Sequence, residues 1–236
     1  MTEIAARLEA VHRRVRAAEA EYGRRPGSVA VLAVGKRHPS EALRAAYAAG
    51  QTAFGENYFQ EALAKQEALA DLEPVWHFIG GLQSNKTAPV AQAFSWVHTV
   101  DRAKIARRLG EQRPDALPAL NVCLQVNVSS EPQKAGCDPG SLPELAAAVA
   151  EQPRLRLRGL MAIPAPAAGL EQQRRPFARL RGLYEQLRGQ GFALDTLSMG
   201  MTEDLEAAVA EGSTLLRIGT AIFGPREAEA TEGGQQ

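Results

Sequence analysis

Chemistry is concentrated near the two ends of this 236-residue chain. Near the start, the segment SVAVLAVGKRHPS is apolar until Lys36, so a lysine stands where a buried strand runs out. An amine held at such a point is partly desolvated, which lowers its pKa and frees its lone pair to attack an aldehyde. The plainer alternative is a lysine that emerges into solvent. Towards the other end, SMGMTED carries Ser198, Met199, Gly200 and Thr202, and RIGTAIFG carries Arg217, Gly219 and Thr220. Ser198 and Thr220 offer hydroxyls, while Gly200 and Gly219 let backbone N–H groups approach an anion closely. Thr202 is placed to open the helix EDLEAAVAEG, whose dipole favours the same anion against the opposing charges of Glu203 and Asp204. Arg217 lies two residues before Gly219 and shares its strand face. A cation directed into an apolar interior needs a partner, either a structural carboxylate or an acceptor on a bound molecule. Taken singly, SMG and IGT are ordinary turns at strand ends.

The elements that must position these residues alternate regularly. An amphipathic helix over residues 2–22 places Ile4, Leu8, Val11, Val15 and Ala18 along one stripe. Short apolar runs follow at 29–34, 52–54, 75–79, 96–100, 120–128, 157–163, 196–199 and 215–223, most of them separated by helical patterns. Ser40, Asp101 and Thr202 read as helix starts, and Ser141 with Glu144 has the spacing of a capping box. Eight strand–helix units predict an α/β protein, a single (β/α)8 TIM-type barrel preceded by an N-terminal helix. No GxGxxG follows the first strand, which argues against a doubly wound open sheet. The barrel is expected over residues 1–226 and a polar tail over 227–236. Too few residues follow the eighth run for a full last helix, so the N-terminal helix is expected to cover that gap. In such barrels functional groups gather at the C-terminal ends of the strands, and the loops after strands seven and eight commonly bind phosphate.

Lys plus Arg and Asp plus Glu both number 27, so the formal net charge is zero. That balance gives no electrostatic footing for nucleic acid or an anionic membrane as partner. The first residues carry charge throughout, unlike a signal peptide, and no run approaches the roughly 18 apolar residues of a membrane span. Cys123 and Cys137 lack CxxC spacing and read as a core residue and a loop thiol in a reducing compartment. A cytoplasmic protein is expected. His77, in WHFIG, reads as a hydrogen-bonded core histidine, with a place beside a bound ring as the alternative. Lys134, in SSEPQKAG, reads as a solvated loop lysine, with a transient second aldehyde acceptor as the alternative. RLRLRG at 154–159 is a basic run at a strand entry without the aromatic platform of an RNA site.

The segments AVGK, FGENYFQE, WHFIGGLQSNK, HTVD, LQVNVS, RGLMAIP and LSMGMTEDLEAAVAEGSTLLRIGTAIFG occur in this order along nearly the whole chain. They resemble the pyridoxal phosphate homeostasis proteins, a family similar to the isolated N-terminal barrel of bacterial alanine racemase. The resemblance implies pyridoxal 5'-phosphate as the cofactor, held as a Schiff base on Lys36. It implies that Asn57 lines the cofactor ring and that Arg217 faces the pyridine nitrogen. Ser198, Met199 and Gly200 match the phosphate-side segment, and Gly219 and Thr220 match its partner in strand eight. Gly35 departs from the Ser or Thr of many members, which removes a hydroxyl beside the lysine. An arginine at the ring nitrogen disfavours its protonation and so weakens carbanion stabilisation. Racemisation also needs proton donors and acceptors on both faces of the substrate. In alanine racemase the second base is a tyrosine from a C-terminal domain, which this chain is expected to lack; Tyr58, His77 and Lys134 are the conceivable substitutes. The expectation is a pyridoxal-phosphate-binding protein without turnover, which buffers or delivers the cofactor in transient contact with apoenzymes. The alternatives are a small amino-acid racemase and a barrel for another phosphorylated metabolite.

Overall fold

In the computed structural model, which describes residues 2–129 and 134–225, eight parallel strands pair in chain order and close into a barrel. They are β1 (Ala30–Val34), β2 (Ala53–Glu56), β3 (Val75–Phe78), β4 (Trp96–Val100), β5 (Leu120–Gln125), β6 (Leu155–Met161), β7 (Thr196–Ser198) and β8 (Leu215–Ile218). The helices are α1 (Glu3–Glu21), α2 (Ser40–Ala48), α3 (Phe59–Ala68), α4 (Thr87–Ala93), α5 (Ala103–Gln112), α6 (Leu142–Ala150), α7 (Leu170–Gly189), α8 (Leu205–Ala210) and α9 (Thr220–Phe223). Strands of a helix-covered parallel barrel are buried on both faces, which is why they read as continuous apolar runs. In β1, Val31 and Ala33 join the large core shared with helix residues such as Leu43 and Phe177. Leu32, on the opposite face, belongs instead to a small interior cluster with Ile79 and Leu215. At Gly159 of β6 only hydrogen fits, because a Cβ would lie 1.7 Å from the Thr196 carbonyl of β7.

The N-terminal helix packs against α8 and α9, covering the side of the barrel where the last strand is followed by one helical turn. Leu8, Val11, Val15 and Ala18 are buried there, as the stripe predicts, while Ile4 is half-buried. Two side chains fix the docking. Arg14 makes a forked pair with Glu206 at 2.8 and 2.9 Å. Buried Glu19 accepts from the backbone N–H groups of Gly27 and Val29 at 3.0 and 2.9 Å, aiming the chain into β1.

Several local expectations are corrected. The eighth apolar run, 215–223, is not one strand: β8 stops at Ile218, and TAIF forms α9. Thr202 does not open a helix. The helix begins at Leu205, after Asp204, whose carboxylate accepts from Met201 N at 2.6 Å and closes the preceding turn. Ser40 lies inside α2, and α5 starts at Ala103, two residues after Asp101. The Ser141–Glu144 capping box does not form. Ser141 Oγ donates to the Asp138 carbonyl, and it is the Asp138 carboxylate that caps the turn by accepting from Gly140 N. The expected tail at 227–236 lies outside the described residues. Among the described residues no helix is long and apolar enough to cross a membrane.

Candidate functional site

At the C-terminal ends of the strands lies a cavity of about 330 Å³, within the range of small-molecule sites. Lys36 reaches it from the turn that follows β1, half-buried, with Nζ 5.1 Å from the ring centre of Tyr58. Asn57 enters it immediately after β2. Gly80 makes that placement possible, since a Cβ there would lie 1.9 Å from the Asn57 carbonyl oxygen. Gly219 and Thr220 come from the junction of β8 and α9, and Thr202 and Glu203 from the loop before α8. Val34, Ile79, Ile163 and Met201 supply the apolar wall.

Arg217, on β8, forms the buried end of the cavity. Its Nη1 donates to the Ser198 carbonyl at 2.5 Å and to Ser198 Oγ at 2.9 Å, and its Nη2 donates to the Ala162 carbonyl at 2.9 Å. Among the described residues no ion pair involves Arg217, so its charge rests on carbonyl and hydroxyl dipoles. Burial lowers its pKa to about 10, which still leaves a cation at neutral pH. Behind it a chain of hydrogen bonds crosses the barrel. Ser198 Oγ lies 2.8 Å from His98 Nδ1, and His98 Nε2 lies 2.8 Å from His77 Nδ1. The His77 ring stacks on Trp96 at 5.1 Å. Burial holds both rings neutral, lowering His77 to about 3 and His98 well below its ordinary value. Two neutral imidazoles suit this chain, because one ring nitrogen must donate where the other accepts.

Five of the expected residues, Lys36, Asn57, Arg217, Gly219 and Thr220, therefore meet at one cavity. Ser198, Met199 and Gly200 stand behind its wall. The Ser198 hydroxyl, expected to be available to an anion, is wholly buried and engaged with Arg217 and His98. Met199 is buried in the core. Gly200, at φ +97°, sits where a Cβ would meet Ala208 Cβ at 2.4 Å. Strand β7 ends at Ser198, so it is the continuation through Met201, Thr202 and Glu203 that reaches the cavity. His77 is the buried, hydrogen-bonded histidine of the plainer expectation. Lys134 is half-buried after β5, its carbonyl accepting from Asn127 Nδ2 at 3.4 Å, and is not on the cavity wall. Cys123 and Cys137 are unpaired and buried, with thiol pKa values pushed up to about 12 and about 11 by that burial.

One charged group was not anticipated. Lys65 Nζ donates to Glu56 Oε1 at 2.8 Å, to Glu61 Oε1 at 2.6 Å and to the Gly35 carbonyl at 2.7 Å. Glu56 is completely buried, and burial pushes its carboxyl up to about 7 against the opposing pull of the Lys65 ammonium. The helical spacing of Glu61 and Lys65 was legible as an i,i+4 pair; the partnership with Glu56, in another element, was not.

Fold and cavity together define a class: an eight-stranded α/β barrel with a lysine and a buried arginine facing one pocket at its C-terminal mouth. The family model for the N-terminal domain of alanine racemase matches residues 7–227. The chain is 59% identical over 227 residues to the pyridoxal phosphate homeostasis protein of Pseudomonas aeruginosa, covering 96% of this chain and 97% of that one. It is 49% identical over 230 residues to the protein of the same name in Escherichia coli K12, covering 96% and 98%. Among solved structures, PipY of Synechococcus elongatus PCC7942 with PLP bound is similar at a TM-score of 0.83 and 39% identity, covering 94% of this chain and 100% of that one. The chain belongs to the alanine racemase N-terminal domain family, among the pyridoxal phosphate homeostasis proteins.

Proposed function

We propose that this protein holds pyridoxal 5'-phosphate as a Schiff base on Lys36 and serves homeostasis of that cofactor in the cytoplasm, by buffering it or delivering it to apoenzymes, without amino-acid turnover. The observation that carries this reading is the convergence of Lys36 and Arg217 on one cavity, with Gly219 and Thr220 beside them. The residues fit the group. An amine suits its aldehyde, a guanidinium bonded to carbonyl and hydroxyl dipoles suits an acceptor on the ring, and Gly219 suits its phosphate. A Cβ on Gly219 would stand 3.3 Å from the Val34 carbonyl oxygen, a tight contact at the junction that faces the cavity. Asn57 would flank the ring, and Ser198, Met199 and Gly200 would support the phosphate side from behind. The bound cofactor supplies a reactive aldehyde carbon and an electron-withdrawing ring; the protein's own residues anchor, orient and shield it.

What the side chains can do supports the reading of a protein without turnover. Arg217 is a cation, so it disfavours a proton on the ring nitrogen it faces and leaves the ring a weak electron sink. A racemase needs a second base across from Lys36. Tyr58 and Lys134 are off the cavity wall, and His77 is locked in the barrel interior. Titration of the purified protein with pyridoxal 5'-phosphate tests the reading. A saturable Schiff-base absorbance band is expected in the parent and not in Lys36→Ala. The same band in both would overturn it.

A further inference from the structure

The buried charges behind Lys36 have no role in the function proposed above, yet they grip the chain on both sides of that residue. The Gly35 carbonyl accepts from Lys65 Nζ at 2.7 Å. The Arg37 amide donates to Glu61 Oε1 at 2.5 Å, and the same oxygen accepts from Lys65 Nζ at 2.6 Å. Thus the peptide groups immediately before and after the lysine end on one ion cluster, braced from below by Glu56. Two further features show that the turn is held in a conformation it would not choose alone. Arg37 has φ +61°, the left-handed region that side-chain-bearing residues rarely occupy. A Cβ on Gly35 would lie 2.5 Å from Glu56 Oε1 and 3.0 Å from Leu43. The glycine at 35 thus makes room for the Glu56 carboxylate. A buried ion pair is weak evidence for stability, since apolar side chains of similar volume often serve as well. Here the pair's other hydrogen bonds go to the backbone that carries Lys36.

We infer that Glu61 and Lys65, braced by Glu56, are positioning residues for the Lys36 amine, fixing residues 35 and 37 so that Nζ points into the cavity in the orientation that attacks an aldehyde. This rests on the Schiff-base reading above. The reaction served is a condensation. The neutral amine's lone pair forms a C–N bond to the aldehyde carbon, the carbonyl oxygen is protonated and leaves as water with the hydrogens lost from nitrogen, and a C=N bond remains. No oxidant or reductant enters. Holding a nucleophile in its attacking geometry contributes to rate, and small misplacements are costly.

The test compares the parent protein with Glu61→Ala and Glu61→Gln, using pyridoxal 5'-phosphate and its alcohol analogue pyridoxine 5'-phosphate, which lacks the aldehyde. Glu61 is partly exposed, so its truncation leaves the core intact. Glu61→Ala is expected to form the Schiff base about tenfold more slowly by stopped-flow absorbance, with far-ultraviolet circular dichroism and affinity for pyridoxine 5'-phosphate like the parent's. Glu61→Gln retains an acceptor oxygen for the Arg37 amide and is expected to recover most of the rate. Should the alanine variant fail to fold, Glu61→Asp, one methylene shorter, is expected to show the same split in milder form. A parent-like rate in the alanine or aspartate variant, or an equal loss of pyridoxine 5'-phosphate binding, overturns the inference while leaving the Schiff base standing. If the parent itself yields no borohydride-fixed adduct on Lys36, the Schiff-base reading fails and takes this inference with it.

Discussion

Lys36 and Arg217 face one cavity where the barrel closes, Arg217 from β8 and Lys36 from the turn after β1. Arg217 of β8 stands opposite Leu32 of β1 in the parallel register, and four residues beyond Leu32 the chain reaches Lys36. Closure of the sheet therefore brings together two residues 181 positions apart. Strand register brings β1 and β8 side by side, and the turn after β1 then sets where Lys36 stands relative to Arg217. The lysine is the amine to which the proposed function assigns the cofactor's aldehyde carbon. The arginine, held by Ser198 and Ala162, offers its charge to whatever shares the pocket.

Gly219 gives the clearest test of the phosphate side. Its Cβ position is 3.3 Å from the Val34 carbonyl oxygen, so a valine there must displace β1 or intrude on the cavity. Gly219→Val is expected to weaken pyridoxal 5'-phosphate binding by about tenfold or more, the scale of losing one or two charge-assisted hydrogen bonds. Pyridoxal lacks the phosphate and should lose much less. Equal losses, measured by absorbance titration, would make the junction structural only.

The buried histidines make stability depend on pH in a stated direction. Burial lowers His77 from 6.5 to about 3, so the folded state refuses a proton that the unfolded chain accepts. The stabilising contribution is complete above pH 6.5 and is lost as pH falls towards 3. For one group the slope is about 1.4 kcal/mol per pH unit, or about 2 kcal/mol between pH 6.5 and 5. His77→Gln keeps a hydrogen-bonding side chain beside His98 and removes that titration. Urea unfolding at pH 7 and pH 5 should show a smaller acid loss in the variant than in the parent, although His98 contributes in the same direction in both. An identical loss would mean that His77 carries a proton in the fold.

The parts of this molecule legible in its sequence were those governed by one element at a time. All eight strands overlap the expected apolar runs, but β6 begins two residues early, in the alternating LRLR that the basic run concealed, and β2 runs on to Glu56. Arg217 and Gly219 do line one cavity, but not as two positions of one strand face, since β8 ends at Ile218 and Gly219 caps α9. The errors arose where one pattern admits two structures. TAIF is apolar enough to extend β8, but a short apolar run does not distinguish strand from helix, and the chain turns helical after Gly219. Thr202 looked like a helix cap, yet Asp204 takes the Met201 amide and moves the start to Leu205. The Ser198 hydroxyl was read as available because nothing in SMG reveals that His98, a hundred residues earlier, occupies it. Glu56 and Lys65 were invisible for the same reason: their contact belongs to the packing of α3 on β2, not to either segment.

The proposal that the protein does not turn over amino acids is tested with L-alanine. General acid–base catalysis contributes roughly 10²–10⁴-fold per positioned group, and the proposed function assigns no second base. Loaded protein incubated with L-alanine in deuterium oxide is expected to shift its spectrum without placing deuterium at the α-carbon. Rapid α-deuteration with formation of the D-isomer, abolished in Lys36→Ala, would establish a racemase instead.

The central claim is the covalent one, that the Lys36 amine holds the cofactor's aldehyde carbon. Reduction of the loaded protein with borohydride converts such a bond into a stable secondary amine, and peptide mapping by mass spectrometry then locates it. The expected result is a single reduced pyridoxyl-phosphate adduct on the peptide containing Lys36, absent from Lys36→Ala, which should still bind the cofactor weakly through Arg217 and Gly219. A principal adduct on any other lysine, Lys134 or Lys65 included, or retention of the parent's adduct yield in Lys36→Ala, would contradict it.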